Sequence, residues 1–137
     1  MHYSKRAKVR FADVDPAGIV FYPRYFELLN AAIEDWFEEA LGLSFAEMHL
    51  RMDLGVPTVK LECDFSAPSF LGDEIDVDLD VLELGRSSCT LAFRMSDGDS
   101  ERLSGRIVLV CMHLKQRNAV AWPENVRKRM LEPITTP

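Results

Sequence analysis

A long helical pattern that begins near Tyr22 and stops at Gly42 constrains the fold of this chain more than any other feature. Pro23 suits the first helical position, where its missing N–H costs nothing, and Gly42 suits the position just past the end. Apolar residues recur every three or four positions and extend beyond one narrow stripe. They are Tyr25, Phe26, Leu28, Leu29, Ala31, Ala32, Ile33, Trp36, Phe37 and Ala40. We predict a helix from about Tyr22 to Leu41, roughly 30 Å long, that other elements cover on most sides.

Alternating apolar and polar residues indicate that strands make up most of the remaining chain. A strand is expected over residues 3–11 with Tyr3, Lys5, Ala7, Val9 and Phe11 on one face. Residues 59–66, 75–81 and 89–95 also alternate, whereas residues 106–114 are apolar on successive positions, as in a strand covered on both faces. Two short helices are predicted, one opened by a capping box at Ser44 and one running from Pro123 to about Leu131.

The order of these elements predicts the α+β fold class. One strand and the long helix precede four strands, and these are joined by turn signals at 72–73, 85–88 and 96–99, so the sheet is antiparallel. Only one long helix is available to cover the apolar face, so the sheet should curl around it. Strand edges and apolar positions left uncovered favour pairing between subunits, and we expect a homodimer or a homotetramer.

Length and composition narrow the class of protein further. A chain of 137 residues fits a single domain over 1–137, and its net charge of -6 argues against nucleic-acid binding. No apolar run of membrane-spanning length and no signal-peptide core are present, so we expect a cytoplasmic protein without a membrane partner. The three widely spaced cysteines are expected to be reduced core residues, and the three histidines lack the spacing of a metal site.

The loop just before the long helix is the most plausible place for chemistry. Pro16 biases Asp15 away from the helical region and Gly18 permits a backbone that a side chain would forbid, so Asp15 is held in a turn. The helix start has unpaired N–H groups and a partial positive charge, which can stabilise a developing oxyanion. Two interpretations stand: Asp15 is reactive, or Asp13 and Asp15 only cap neighbouring amides as in ordinary turns.

The run from Asp13 to Pro23, which has the form D-x-D-x-x-G-x-V/I-x-Y-P, resembles the active-site loop of the 4-hydroxybenzoyl-CoA thioesterase family. The similarity extends from about Phe11 to Met95. It implies the hot-dog fold, in which an antiparallel sheet wraps one long central helix. It also implies an acyl-CoA thioesterase, acting on an aromatic substrate similar to 4-hydroxybenzoyl-CoA. Because coenzyme A is part of that substrate, no separate cofactor is predicted.

The same resemblance implies roles for three residues near the loop. Asp15 would attack the thioester carbonyl or activate water to do so, and the Tyr22 N–H would polarise the carbonyl oxygen. Asn30 stands where the benzoyl-CoA enzyme of that family has an Asp that binds the ring hydroxyl, which implies substrate binding. Alternatively, Asn30 is a polar residue satisfied by the backbone or by a partner subunit.

Coenzyme A contacts are implied at a turn further along the chain. Arg86, Ser87 and Ser88 stand where the family has phosphate and pantetheine contacts, and such a turn offers a charge and free amides. Ordinary turns have the same composition, so a purely structural turn is the alternative.

The whole chain has three alternatives to a function in aromatic acyl-CoA hydrolysis. The substrate can be a short or medium aliphatic acyl-CoA instead of an aromatic one. A hot-dog hydratase generally needs an Asp and a His acting together, and none of the three histidines lies in the Asp15 loop. A non-catalytic acyl-CoA binding module is compatible with the composition, although it has no need of a carboxylate aimed at a thioester.

Overall fold

A computed structural model describes residues 1–132 of the chain. In chain order its elements are β1 (His2–Lys8), α1 (Pro23–Trp36), α2 (Phe45–Arg51), β2 (Leu54–Gly55), β3 (Thr58–Phe65), β4 (Glu74–Leu84), β5 (Ser88–Asp97), β6 (Ser100–Val110), β7 (Met112–His113), β8 (Asn118–Ala119) and α3 (Glu124–Met130). A short 3-10 turn (Phe11–Asp13) follows β1, and a π-helical turn (Phe37–Leu41) continues α1.

The predicted long helix is confirmed. It begins at Pro23, continues through the π-helical turn to Leu41, and ends where Gly42 adopts a left-handed φ of 77°. That conformation is easy for glycine and strained for other residues. Along α1 the buried residues are Tyr25, Leu29, Ala32, Ile33 and Trp36.

The main sheet has five antiparallel strands in the order β1-β4-β5-β6-β3. Its inner face is apolar on alternate residues because successive side chains of a strand point to opposite faces. Those inner residues are Ile75, Val77 and Leu79 of β4, Cys89, Leu91, Phe93 and Met95 of β5, and Leu103, Ile107 and Leu109 of β6. They form one hydrophobic core with α1, so the α+β arrangement of a sheet around a central helix is confirmed.

The alternation predicted for β3 does not lead to a buried face. Seven of its eight residues are exposed, and the eighth, Cys63, is half-buried. β3 is an edge strand that pairs with β6 on one side only, and no element within residues 1–132 pairs with its other side. The prediction of one dry face for β3 is therefore wrong for a single chain.

Two further predictions for strand faces are wrong for a single chain. In β6 burial alternates, with Ile107 buried and Val108 half-buried, because no second layer in the described chain covers the outer face of the sheet. β1 ends at Lys8, and the 3-10 turn that follows leaves the Phe11 side chain 81% exposed. A regular strand through residue 11 would have kept that side chain on the inner face.

The remaining elements close the ends of the core. The predicted α2 and α3 are confirmed, and the Ser44 hydroxyl caps α2 by accepting the Glu47 N–H at 3.1 Å. A small sheet in the order β2-β7-β8 was not predicted, since its strands have only two residues each. The three cysteines are free, and two of them, Cys89 and Cys111, are buried.

Two features relevant to function are absent from residues 1–132. Among residues 1–132, no helix is both long enough and apolar enough to cross a membrane. The same residues contain no group of three or more His, Cys, Asp or Glu side chains arranged to hold a metal ion.

Candidate active site

Residues 13–21, which we call the Asp15 loop, fold back on themselves like a short hairpin. The Phe21 N–H donates to the Asp13 carbonyl at 2.9 Å, and the Asp15 N–H donates to the Ile19 carbonyl at 2.9 Å. Between these two bonds, residues 14 and 20 form an antiparallel bridge. Asp15 therefore lies at the tip of the loop, opposite Ile19, and the base of the loop leads directly into α1.

The Asp15 carboxylate is held through one of its two oxygens. Oδ1 accepts the Ala17 N–H at 2.9 Å and the Ile19 N–H at 3.4 Å, and Gly18 closes the tip with a φ of 81°. Oδ2 has no hydrogen-bond partner within residues 1–132, and the residue is half-buried. Asp15 thus does cap neighbouring amides, as one interpretation of the sequence had it, while its second oxygen is available to a ligand.

Asp13 is oriented by a different contact. Its Oδ2 accepts the Arg10 N–H at 2.9 Å and so caps the 3-10 turn that precedes the loop. Its carboxylate is therefore engaged on the far side of the loop from the Asp15 tip.

Tyr22 forms the cap at the start of α1. The Arg24 N–H donates to the Phe21 carbonyl at 2.8 Å, and the Tyr25 N–H donates to the Tyr22 carbonyl at 3.2 Å. In the described part of the chain the Tyr22 N–H itself has no acceptor, and its ring is 59% exposed. An unpaired N–H at a helix start is the kind of donor that binds a developing negative charge.

The spacing between these two groups follows from the hairpin pairing. Tyr22 lies three residues beyond Ile19, the partner of Asp15, which is roughly 10 Å of extended chain. Asp15 therefore lies at the tip of the loop, and the Tyr22 amide directly follows its base.

Aromatic side chains line the surface beside Tyr22. The ring of Phe65, at the end of β3, lies 6.1 Å from the ring of Tyr22 and 6.3 Å from that of Phe26 in edge-to-face contacts. The Phe21 ring lies 5.6 Å from the Tyr22 ring. We call Phe21, Tyr22, Phe26 and Phe65 the aromatic patch. Sequence reasoning missed it because the alternation of β3 gave no indication that Phe65 would meet the start of α1.

A second loop, residues 66–73, supports the Asp15 loop, and we call it the supporting loop. The Val20 N–H donates to the Ser69 carbonyl at 2.9 Å, and the Leu71 N–H donates to the Gly18 carbonyl at 3.1 Å. The Tyr25 hydroxyl donates to the Ser69 hydroxyl at 2.9 Å, and Ser69 is fully buried. The second limb of the Asp15 loop is therefore bonded to the supporting loop on both sides of residue 19.

The supporting loop is itself anchored by an ion pair. Arg102 Nη1 lies 3.0 Å from Asp73 Oδ2 and also donates to the Pro68 carbonyl at 2.8 Å. Asp73 Oδ2 accepts the Phe70 N–H as well, at 2.9 Å. The Phe70 N–H and the Arg102 guanidinium lower the pKa of the Asp73 carboxyl, against the opposing effect of burial. Asp73 was predicted only as part of the turn at 72–73, and the sequence gave no signal for its pairing with Arg102.

Asn30 lies on α1, eight residues past Tyr22 and roughly 12 Å along the helix axis. Its side chain is exposed and lines a cleft of about 420 Å³ together with Phe45, Val56 and Thr58. Residues 22, 26 and 30 share one helix face, since side chains four apart lie above one another. The structure therefore puts Asn30 on the same face as Tyr22, away from the Asp15 tip.

The predicted coenzyme A turn lies elsewhere in the chain. Its backbone is tied to the C-terminal part, with the Cys111 N–H donating to the Ser87 carbonyl at 2.7 Å and the Trp122 N–H to the Arg86 carbonyl at 3.0 Å. Arg86 is exposed, and Ser88 begins β5. The supporting loop leads into the first residue of β4, and the turn at 86–88 follows the last residue of β4. The two ends of this eleven-residue strand lie roughly 35 Å apart. One chain does not bring Arg86, Ser87 and Ser88 next to Asp15.

Comparison with known proteins identifies the family. A family model described as the thioesterase-like superfamily matches residues 9–130. This chain belongs to that superfamily. A 1,4-dihydroxy-2-naphthoyl-CoA hydrolase from Synechococcus elongatus is 25% identical to it over 126 residues, covering 91% of this chain and 92% of the relative.

Solved structures of the superfamily have the same fold. A gentisyl-coenzyme A thioesterase superposes with a TM-score of 0.82 at 28% identity, covering 91% of this chain and 99% of the other. A 1,4-dihydroxy-2-naphthoyl-CoA thioesterase from Synechocystis superposes with a TM-score of 0.86 at 23% identity, covering 95% and 96%. The predicted hot-dog fold is confirmed by these superpositions.

The comparisons bear on the functional predictions at the level of the family. The resemblance read from the run between Asp13 and Pro23 is confirmed, and so is the class of enzyme: this member of the superfamily is a thioesterase. The individual roles assigned to Asp15, Tyr22 and Asn30, and to the turn at 86–88, stay predictions.

Proposed function

We propose that this protein hydrolyses the thioester of an aromatic acyl-CoA, giving a free acid and coenzyme A, with Asp15 as nucleophile or general base. One observation carries the proposal. The Asp15 Oδ2 atom lacks a partner among the described residues, and so does the Tyr22 N–H at the base of the same loop. A thioester carbonyl between them would meet a carboxylate at its carbon and a donor at its oxygen.

The chemistry follows from these two groups. The free oxygen of Asp15 either attacks the carbonyl carbon or takes a proton from an attacking water. The Tyr22 N–H, helped by the start of α1, stabilises the negative charge that forms on the carbonyl oxygen. One such donor is worth about 3 kcal/mol of barrier. The leaving thiolate needs little help from an acid, so the site works without a histidine.

The aromatic patch favours an aromatic acyl group. The rings of Phe21 and Phe65 are exposed and contact the Tyr22 ring, and aromatic rings prefer edge-to-face or offset contacts with one another. The relatives described above are named for acyl groups that are hydroxylated aromatic rings. Asn30, further along the same helix face, can donate or accept one hydrogen bond to such a ring hydroxyl.

A second copy of the chain is part of the proposal. The free edge of β3 exposes Val59, Leu61 and Phe65 by 60%, 40% and 51%, and an apolar strand edge of this kind pairs readily with another strand. We propose a homodimer, or a homotetramer built from two of them, in which β3 pairs with its copy beside the aromatic patch. The turn at 86–88 of another copy could then reach the coenzyme A portion.

A substrate panel tests the proposal. Thiol release would be measured with 4-hydroxybenzoyl-, gentisyl- and benzoyl-CoA, and with short and medium aliphatic acyl-CoAs as the comparison set. We expect kcat/KM to be at least about tenfold higher for the hydroxylated aromatic substrates, because their rings and hydroxyls use contacts that alkyl chains cannot make. Equal or faster release from aliphatic substrates would contradict the aromatic assignment. Tight binding without any thiol release would contradict catalysis and favour an acyl-CoA binding module.

A further inference from the structure

We propose that Arg102 is a positioning residue for Asp15 and acts through the supporting loop. The proposal rests on the catalytic role proposed for Asp15 above. Arg102 lies on β6, far from the Asp15 loop in sequence, and within residues 1–132 no hydrogen bond or ion pair joins its side chain to that loop. Its effect would pass through residues 66–73, which are bonded to Arg102 on one side and to the Asp15 loop on the other.

The burial of Arg102 is unusual for a charged residue. Only 8% of it is exposed, and its Nε atom is buried without a partner among residues 1–132. Its nearest charges are Asp73 at 3.0 Å and Asp97 at 3.6 Å. Burying a charge is costly, and replacing a buried ion pair by apolar residues of similar volume is often neutral or stabilising. Packing alone therefore does not explain a guanidinium at this position.

Arg102 fixes the supporting loop at both ends. Its carbonyl accepts the Ser66 N–H at 2.8 Å and the Ala67 N–H at 3.2 Å, where the loop leaves β3. Its guanidinium binds the Pro68 carbonyl and the Asp73 carboxylate, where the loop approaches β4. The planar guanidinium suits this task because one nitrogen serves two acceptors in a fixed geometry.

The supporting loop transmits this fixed position to Asp15. It is bonded to the backbone of Gly18 and Val20, the two neighbours of Ile19. Ile19 in turn holds Asp15 through both its carbonyl and its N–H. A shift of the supporting loop therefore moves the atoms that orient the Asp15 carboxylate. Displacement of a reacting group by 1 Å lowers rate by about 100-fold.

The first test compares Arg102→Gln with the matched control Arg94→Gln. Arg94 lies on the neighbouring strand and pairs with Glu101 at 3.0 Å on the surface, and Glu101 also accepts the Ser66 hydroxyl at 3.3 Å. Arg94→Gln therefore removes an arginine charge close to the supporting loop but leaves every Arg102 contact of that loop in place. With a hydrolysed acyl-CoA, kcat of Arg102→Gln should fall by about 100-fold while KM stays nearly constant, because positioning affects the reaction step more than binding. Arg94→Gln should keep the wild-type values. Arg102→Lys should give an intermediate kcat, because an ammonium keeps the positive charge but lacks the planar, forked set of donors of a guanidinium.

A second readout is independent of turnover. Amide hydrogen exchange at Val20 and Leu71 should accelerate in Arg102→Gln and stay unchanged in Arg94→Gln, since those amides bond the two loops together. If Arg102→Gln does not fold, Asp73→Asn serves in its place, because it keeps an acceptor for the Phe70 N–H and loses only the charge. It should change kcat and exchange in the same direction.

These experiments distinguish failure of the proposed function from failure of the positioning role of Arg102. Wild-type turnover by Asp15→Asn would overturn the proposed function, whatever the exchange data show. If Asp15→Asn is inactive, the positioning role is overturned by a folded Arg102→Gln or Asp73→Asn with wild-type kcat. Unchanged exchange at Val20 and Leu71 would overturn it as well, and so would a loss of kcat that matched the loss of folded protein.

Discussion

Two aspartates near the candidate site use their carboxylates in opposite ways. Asp15 engages only Oδ1, with two backbone amides of its own loop, and keeps Oδ2 without a partner in the described chain. Asp73 uses Oδ2 for both the Phe70 N–H and the Arg102 guanidinium. The first arrangement leaves one carboxylate oxygen without a partner in the described chain, and the second ties a loop to the sheet. Removing the Asp15 carboxylate and removing the Asp73 carboxylate should therefore have different effects on activity and stability.

Asp73 should contribute stability that depends on pH. Its pKa in the folded state is lower than in the unfolded chain, so its contribution is present above about pH 4 and is lost as the pH falls through the folded-state pKa. Asp73→Asn should lower the free energy of unfolding near neutral pH by about 1 kcal/mol, because water screens a partly exposed pair. Urea unfolding of both proteins measures this difference. A difference that grew as the solution was acidified would contradict the assignment.

At the scale of elements, β3 and β6 are held at a close approach by Gly105. A Cβ on this residue would lie 1.9 Å from the Glu62 carbonyl and 2.8 Å from the Phe93 ring, and backbone cannot move aside as a flexible side chain can. Gly105→Ala should therefore lower the free energy of unfolding by about 3 kcal/mol. The neighbouring substitution Ser104→Ala, on the other face of β6, should change it by less than about 0.5 kcal/mol. Equal effects of the two substitutions in denaturant titrations would show that β3 does not depend on this contact.

Some elements could be predicted from the sequence because their signals are local. The start and end of α1 were set by Pro23 and Gly42, and the cap of α2 by Ser44, all within a few residues of the helix ends. The exposure of β3 could not be predicted in this way. It depends on the order of strands in the sheet, which a run of alternating residues does not encode.

The candidate site also has one part that could be predicted from local sequence signals and one part that could not. The Asp15 loop was predictable because Asp15, Pro16 and Gly18 are close in sequence and form a recognisable motif. The pairing of Arg102 with Asp73 joins a strand residue to a loop residue 29 positions earlier, and a single charged residue within β6 gives no indication of its partner. Contacts between distant segments become visible only when the sheet is assembled.

For the whole molecule, the edge of β3 is expected to be the surface that joins two copies. Leu61→Lys should shift the protein from dimer to monomer, since it places a charge on an apolar strand edge. It should also lower activity, because a lone chain keeps Arg86 and its neighbours far from Asp15. Sedimentation velocity and thiol release would be measured on the same samples. The control is Leu50→Lys on α2, where Leu50 is already 83% exposed. A Leu61→Lys dimer with full activity would contradict this assignment.

The most direct test of the account is the rate of acyl-CoA hydrolysis by Asp15→Asn, measured by thiol release beside Asp13→Asn. Asparagine can still accept the Ala17 and Ile19 amides through its side-chain oxygen, so the loop should keep its shape while losing the charged oxygen. We expect kcat to fall by about 10²- to 10⁴-fold in Asp15→Asn. Asp13→Asn should keep a kcat close to the wild-type value, because the Asp13 carboxylate caps the preceding turn. Hydrolysis by Asp15→Asn at the wild-type rate would contradict the central claim.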